Sequence, residues 1–106
     1  MNKLSKTEKQ AKALVEGMMP FLLWQSGDVR DEYDAGEYVA AADGAIHDLG
    51  ALRADLPEEI LDEIGGLIGE IRKNADPYAA RFIVRMETGL AQLATRRELM
   101  QPKKTA

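Results

Sequence analysis

The fold class of this chain is indicated most clearly by residues 55–73, DLPEEILDEIGGLIGEIRK. Asp55 suits a helix-capping position, Pro57 suits a first helical turn, and Glu58 can complete a capping box. Apolar residues then recur every three or four positions, at Ile60, Leu61, Ile64, Leu67, Ile68 and Ile71. This spacing predicts a helix over 56–73 with one buried face and an acidic outer face.

Three glycines lie inside this predicted helix, at Gly65, Gly66 and Gly69. Each costs about 1 kcal/mol relative to alanine in a helix interior. We therefore expect a physical reason for them, either close packing against a neighbouring helix or a local kink.

Near the N-terminus, the sequence Ser5-Lys6-Thr7-Glu8 forms a capping box that opens another amphipathic stretch. Pro20 lies inside that stretch, and it has no amide hydrogen to donate to the preceding helical turn. We predict a helix over 5–26 that is bent at Pro20.

A helix over 34–54 is predicted between these two, because Asp34 and Glu37 match a capping box and apolar residues follow at helical spacing. Much of its remaining surface is small: Gly36, Ala40, Ala41, Gly44, Gly50, Ala51 and Ala54. We expect the backbone of a neighbouring helix to approach closely there.

The last predicted helix spans 77–100, with Asp76 as its cap and Pro77 in its first turn. Its outer side carries a basic ridge of Arg81, Arg85 and Arg96, which we expect to lie against the acidic helix over 56–73. Residues 101–106 are expected to form a frayed tail.

The chain is predicted to be all-α, because no segment alternates apolar and polar residues with the enrichment in Val, Ile and Thr that marks a strand. Its 106 residues suit one helical domain over 1–106. Four amphipathic helices joined by short loops bury their apolar faces most simply in a four-helix bundle.

The net charge of −4 hides a segregation along the chain. Residues 28–70 carry 13 acidic residues against Arg30 and Arg53, whereas residues 1–12 and 71–106 carry more basic than acidic residues. Two interpretations are open. The acidic and basic helices neutralise each other within the fold, or an acidic surface binds a partner.

The absence of cysteine excludes disulfides, thiolate metal sites and a cysteine nucleophile, and it favours a reducing, cytoplasmic location. The longest apolar run, Met18–Trp24, is too short to cross a membrane or to serve as the core of a signal peptide. We expect no membrane association.

The same run is the best candidate for an apolar contact surface, because seven consecutive apolar residues cannot all face one core. The residues assigned to this surface are Met18, Met19, Phe21, Leu23 and Trp24. The alternative is that the bend at Pro20 wraps the run around the end of the bundle, or that a fourth helix covers it. The leading hypothesis is a non-enzymatic interaction module that binds a partner protein, or a second copy of itself as a homodimer, through this patch.

A second hypothesis is a small acidic inhibitor of the phage or mobile-element kind, such as an anti-CRISPR or anti-restriction protein. Its carboxylates would occupy the basic channel of a nucleic-acid-binding protein. The residues assigned to this acidic surface are Asp28, Asp31, Glu32, Glu58, Glu59, Asp62 and Glu63.

A third hypothesis is a metal-dependent hydrolase. Glu59, Asp62 and Glu63 lie on one helical ridge, where carboxylates can hold Mg²⁺. Residues 58–63, EEILDE, resemble the EExxE helix of the all-α nucleotide pyrophosphohydrolases. The ExxD half of that pattern has no match further along the chain, and the solvated acidic face is the favoured interpretation.

The sequence argues against an enzyme, and we expect no catalytic, metal or cofactor-binding residues. The single histidine, His47, lies four residues after Asp43, but one such pair does not make a metal site. Direct nucleic-acid binding is also disfavoured, because the lysines near the N-terminus wind around their helix and the chain is acidic overall.

Overall fold

The computed structural model of the protein describes residues 4–22, 27–74 and 76–100, with side chains described as far as residue 95. Its helices are α1 (Lys6–Met18), α2 (Gly27–Asp34), α3 (Tyr38–Ala51), α4 (Glu58–Asn74), α5 (Pro77–Ala80) and α6 (Ile83–Met100), with a 3₁₀ turn at Met19–Phe21. These described ranges contain no strand, so the prediction of an all-α fold is confirmed.

The four longest helices form the corners of a bundle. Helix α1 packs against α3 and α4, and α6 packs against the same two helices. Helices α3 and α4 therefore lie at opposite corners, although they follow each other along the chain. The buried side chains form one apolar cluster, which confirms the predicted bundle-like architecture.

Helices α1, α3 and α6 are parallel to one another, and α4 is antiparallel to them. Thr7 and Tyr38, near the N-terminal ends of α1 and α3, line one pocket, so these two helices begin at the same end of the bundle. Asn74 at the end of α4 donates a hydrogen bond to Thr7 over 2.9 Å. Arg85 near the start of α6 contacts Asp43 near the start of α3.

Parallel α1 and α3 need a returning segment between them, and α2 is that segment. This helix is not among those predicted from the sequence. Val29 of α2 packs on α3, where its Cγ2 lies 3.2 Å from the position of a Cβ on Gly44. The Tyr33 hydroxyl donates a hydrogen bond to the Glu16 carboxylate of α1, which raises the pKa of Tyr33 to about 12.

The first helix ends earlier than the sequence predicted. Helix α1 stops at Met18, Pro20 lies in the 3₁₀ turn, and Leu22 is extended with φ −78° and ψ 140°. Pro20 cannot donate a hydrogen bond to the preceding turn, so the chain leaves the helix there instead of bending. Residues 23–26 of the predicted helix lie outside the described residues.

The helix predicted over 34–54 is wrong at both ends. Asp34 ends α2 instead of capping α3, and the turn that follows needs Gly36 in the left-handed region, with φ 81°. Helix α3 stops at Ala51 because Arg53 also adopts a positive φ, of 50°. The Ala54 amide then bonds the Leu49 carbonyl over 3.0 Å, as in a Schellman motif.

The predicted helices over 56–73 and 77–100 agree more closely with the structure. Helix α4 lies within two residues of the predicted 56–73. The Asp76 side chain caps the next helix by accepting from the Tyr78 amide over 3.0 Å, as predicted. However, the helix predicted over 77–100 is divided at Arg81 and Phe82 into α5 and α6.

The predicted close approach to the small-residue face of α3 is confirmed. A Cβ on Gly50 would lie 2.9 Å from both Cα and the carbonyl oxygen of Gly89 on α6. A Cβ on Gly89 would lie 2.9 Å from the Ile46 carbonyl oxygen. The two helices therefore cross with their backbones nearly in contact, which only glycine at positions 50 and 89 permits.

The Ser5 capping box is present as predicted and gives a testable expectation. The Ser5 hydroxyl accepts from the Glu8 amide and the Glu8 carboxylate accepts from the Ser5 amide, both over 3.1 Å. Ser5→Ala should lower the free energy of unfolding by about 1 kcal/mol, measured by urea denaturation. Thr95→Ala, which also removes an exposed helical hydroxyl, serves as the control and should change stability by less than about 0.5 kcal/mol. Equal effects of the two substitutions would contradict the capping role.

Candidate protein-interaction surfaces

The predicted apolar patch is exposed only in part. Met18 is fully buried, so it is a core residue and not a surface residue. Met19 is partly buried against the core, and Phe21 is 36% exposed. Leu23 and Trp24 lie outside the described residues. Phe21 is therefore the one exposed member of the patch within the described part of the chain.

Other large apolar side chains are exposed at positions that the sequence analysis did not single out. Leu52 is 58% exposed at the C-terminal end of α3. Because α1 and α3 are parallel, Leu52 lies at the same end of the bundle as Phe21. Tyr78 and Val84, which are 50% and 76% exposed, lie at the opposite end, near the start of α6.

The seven acidic residues assigned to a partner surface do not form one surface. Asp28, Asp31 and Glu32 lie on α2, which packs on α3. Glu58, Glu59, Asp62 and Glu63 lie on α4, which packs on α1 and α6. The expectation of a single acidic surface is therefore wrong, because helices α3 and α4 occupy opposite corners of the bundle.

Asp28, Asp31 and Glu32 of α2 line a pocket of about 430 Å³ between α2, α3 and α6. Its polar lining consists of Asp28, Asp31, Glu32, Asp48 and Arg85, and we call it the acidic pocket. Four carboxylates share one guanidinium there. Burial raises the pKa of Glu32, and the neighbouring charges of Glu37, Asp28 and Asp43 raise it further.

Arg85 also contacts a buried carboxylate that is not part of the pocket lining. Its Nε lies 3.1 Å from Oδ2 of Asp43, whose side chain is only 5% exposed. Oδ1 of Asp43 is buried, and no hydrogen-bond partner for it occurs among the described residues. Burial raises the pKa of Asp43, and the charges of Arg85 and His47 oppose the rise.

Acidic and basic helices do pair within the fold, as one interpretation of the charge pattern predicted. Lys6, in the basic segment 1–12, lies 3.7 Å from Glu70, and Arg85, in the basic segment 71–106, lies 3.1 Å from Asp43. Arg72 and Glu87, which lie 2.6 Å apart, both belong to the basic segment. The basic ridge of the last helix is placed differently from the prediction, however. Arg85 contacts α3 instead of α4, Arg81 lies over the rings of Tyr78 and Phe82, and the Arg96 side chain lies outside the described side chains.

A second concave surface lies between α4 and α6 and has a volume of about 360 Å³. We call it the α4–α6 groove, and its lining is Gly65, Ile68, Gly69, Arg72, Glu87, Leu90, Ala91 and Ala94. The sequence predicts either close packing or a local kink at the three glycines of α4. The close packing is not observed, because a Cβ on Gly65, Gly66 or Gly69 would meet nothing within 4 Å.

The structure does not assemble a metal site from the candidates of the sequence analysis. Over residues 4–22, 27–74 and 76–95, no three acidic or histidine side chains come together in a group able to hold a metal ion. His47 is exposed on α3, and Glu59, Asp62 and Glu63 remain on the surface of α4.

No family model matches the chain, and no curated protein and no solved structure is significantly similar to it. None of the helices in the described part of the chain has both the length and the apolar character needed to span a lipid bilayer.

Proposed function

We propose that this chain is a non-enzymatic helical module of the cytoplasm that binds a partner protein through its acidic pocket. The observation that supports this proposal is the imbalance of charge in that pocket. Asp28, Asp31, Glu32 and Asp48 surround Arg85, whose Nε already contacts Asp43. The pocket therefore holds more carboxylates than its one guanidinium can neutralise.

A lysine or arginine side chain of the partner is the chemical group that fits this pocket. A second cation beside Glu32 would offset the like charges that raise the pKa of this residue. Charge-assisted hydrogen bonds from a guanidinium to a carboxylate are stronger than neutral ones, and they can be bidentate. Long-range attraction would also speed association and make it sensitive to salt.

A more specific form of this proposal is that the chain is an inhibitor of the phage or mobile-element kind, such as an anti-CRISPR or anti-restriction protein. The partner would then be a nucleic-acid-binding protein, and the acidic pocket would occupy its basic channel. Asp28, Asp31 and Glu32 favour this form, because α2 packs on α3 at the outside of the bundle and Asp28 and Asp31 are exposed.

The test is binding of a fluorescent oligoarginine peptide, measured by anisotropy at low and high salt. Asp28→Asn, Asp31→Asn and Glu32→Gln together should weaken binding by roughly tenfold or more, because close charge pairs are worth more than about 1.4 kcal/mol. The matched control neutralises Glu59, Asp62 and Glu63 on α4, which changes the net charge by the same amount. An equal loss in both variants would show that net charge, and not the acidic pocket, attracts the peptide.

Self-association through the apolar patch is the alternative to this proposal. Its support is that Phe21 and Leu52 are exposed at the same end of the bundle. Light scattering at low and high salt separates the two ideas. A dimer that persists in high salt but dissociates in Trp24→Ala would favour the apolar patch over the acidic pocket.

A further inference from the structure

Arg85 lies in the wall of the acidic pocket, yet it forms its ion pair with a residue outside the pocket lining. Its Nε lies 3.1 Å from Oδ2 of Asp43, which does not line the pocket. Among the side chains that the structure describes, no lysine or arginine lies within ion-pair distance of any of the four carboxylates that do line it. The one guanidinium that could neutralise the pocket therefore contacts Asp43 instead.

Burial explains why Arg85 contacts Asp43 rather than the carboxylates of the pocket. The Asp43 side chain is only 5% exposed, and its second oxygen, Oδ1, is buried with no hydrogen-bond partner among the described residues. A buried charge that loses its counterion is strongly destabilising, because water cannot replace the lost partner. Asp28 and Asp31 are exposed, so water solvates them and an ion pair there contributes little.

The influence of Arg85 on the pKa values of two neighbouring carboxyl groups agrees with this preference. Burial raises the pKa of Asp43, and Arg85 is the strongest charge that opposes the rise. Burial also raises the pKa of Glu32, nearby carboxylates raise it further, and the opposing effect of Arg85 is the smallest of these influences. The pocket therefore stays acidic although an arginine lines it.

The Arg85 side chain is able to change partners. It is 52% exposed, so its guanidinium can turn without displacing the core. Glu32 and Asp48 line the same pocket and offer two other carboxylates. With a neutral residue at position 43, no buried charge would hold the guanidinium, and Arg85 would turn toward these carboxylates.

We propose that Asp43 is a positioning residue that keeps Arg85 away from the carboxylates of the acidic pocket, so that these carboxylates remain free to bind a cation of the partner. This inference rests on the proposed function of the pocket. It adds that a buried residue outside the lining controls the affinity. Neutralising Asp43 releases Arg85, which then occupies the place of the partner's cation as an internal competitor.

The test is a double-mutant cycle in which the affinity for the oligoarginine peptide is measured by anisotropy at low salt. Asp43→Asn should weaken binding by roughly tenfold, because the released guanidinium pairs with pocket carboxylates and repels the peptide. Arg85→Gln should strengthen binding by roughly tenfold in the Asp43→Asn background, but by less than about threefold in the wild-type background. The double variant, which has the net charge of the wild type, should bind as the wild type does.

The cycle separates positioning from two simpler effects. If both charges acted on the peptide directly, Arg85→Gln would strengthen binding by the same factor in both backgrounds. If Asp43→Asn weakened binding by loosening α3, Arg85→Gln would not restore the affinity. Either result would overturn the proposal. Asp62→Asn is the matched control, because it removes one exposed carboxylate of α4, remote from the pocket, and should change the affinity by less than about twofold.

An NMR measurement without peptide tests the contact itself. In nitrogen–proton correlation spectra, the Nε–H signal of Arg85 should respond to Glu32→Gln only weakly while Asp43 is present. It should respond strongly in the Asp43→Asn background, where the guanidinium has turned into the pocket. Equal responses in the two backgrounds would contradict the role of Asp43 even if a variant proved too unstable for titration.

The failure of this inference can be told apart from failure of the proposed function. The proposed function fails, and the inference with it, if the wild type binds the peptide no better than the variant with Asp28, Asp31 and Glu32 neutralised. If those three substitutions weaken binding but Asp43→Asn leaves it unchanged, the acidic pocket is a cation site and only the role of Asp43 is wrong.

Discussion

Gly89→Ala should lower the free energy of unfolding by about 2–3 kcal/mol, although alanine is the better helix former. A Cβ at position 89 would lie 2.6 Å from Cγ2 of Ile46 and 2.9 Å from its carbonyl oxygen. A side chain can rotate away, but the carbonyl belongs to the backbone of α3. The methyl group can be accommodated only if α3 and α6 move apart, which loosens the most extensive helix contact of the bundle.

Gly66→Ala is the matched control, because it makes the same substitution in another helix interior where nothing lies within 4 Å. It should raise the free energy of unfolding by up to about 1 kcal/mol. Urea denaturation of the two variants beside wild type provides the comparison. A Gly89→Ala variant as stable as wild type would contradict the close crossing of α3 and α6.

Local signals in the sequence predicted the helices that carry them. The Ser5 capping box, the Asp76 cap and the strong periodicity of 56–73 each reappear in the structure close to the predicted position. Helix α2 was missed because its segment is short and acidic, and Val29 is its one buried residue. A single buried position makes no periodic pattern. The capping box predicted at Asp34 failed because Gly36 is used for a left-handed turn.

The candidate surfaces depend on topology, which the sequence pattern does not specify. The sequence shows that the acidic residues are concentrated in the middle of the chain. It does not show that Asp28 and Glu58 lie apart, which follows from the diagonal placement of α3 and α4. The groove glycines were recognised as unusual. Whether Gly65 faces a neighbouring helix of the same chain or open space depends on how α4 is oriented in the bundle. Only the three-dimensional structure supplies that orientation.

Arg85→Ala should lower the free energy of unfolding at neutral pH by about 2 kcal/mol. Removing one partner of a fully buried ion pair costs about 3–5 kcal/mol, and we reduce that value because the Arg85 side chain is 52% exposed. The Asp43 carboxylate has one oxygen on Arg85, and its other oxygen has no partner among the described residues. Without Arg85, α3 would bury an uncompensated charge.

The loss of stability in the Arg85→Ala variant should depend on pH, and the structure determines the direction. Burial raises the pKa of Asp43, and Arg85 is the strongest opposing charge, so the variant raises this pKa further. In the variant, the ionised Asp43 carboxylate therefore destabilises the fold at any pH above its folded-state pKa. The full loss of stability is present at neutral pH. As the pH falls and Asp43 takes up a proton in the folded state, the difference from wild type should disappear. Glu32 of α2 faces the same arginine, and its raised pKa acts in the same direction.

A double-mutant cycle assigns the effect to Asp43 rather than to the rest of the acidic pocket. Asp43→Asn removes the buried charge, so Arg85→Ala in that background should cost less than about 0.5 kcal/mol at neutral pH. Stability curves in urea between about pH 4 and pH 7 cover the range in which a carboxyl of raised pKa titrates. If Arg85→Ala costs as much in the Asp43→Asn background as in wild type, then Arg85 stabilises the protein mainly through Glu32 and Asp48. In that case the arginine belongs to the acidic pocket alone, and a partner cation that enters the pocket would substitute for it instead of joining it.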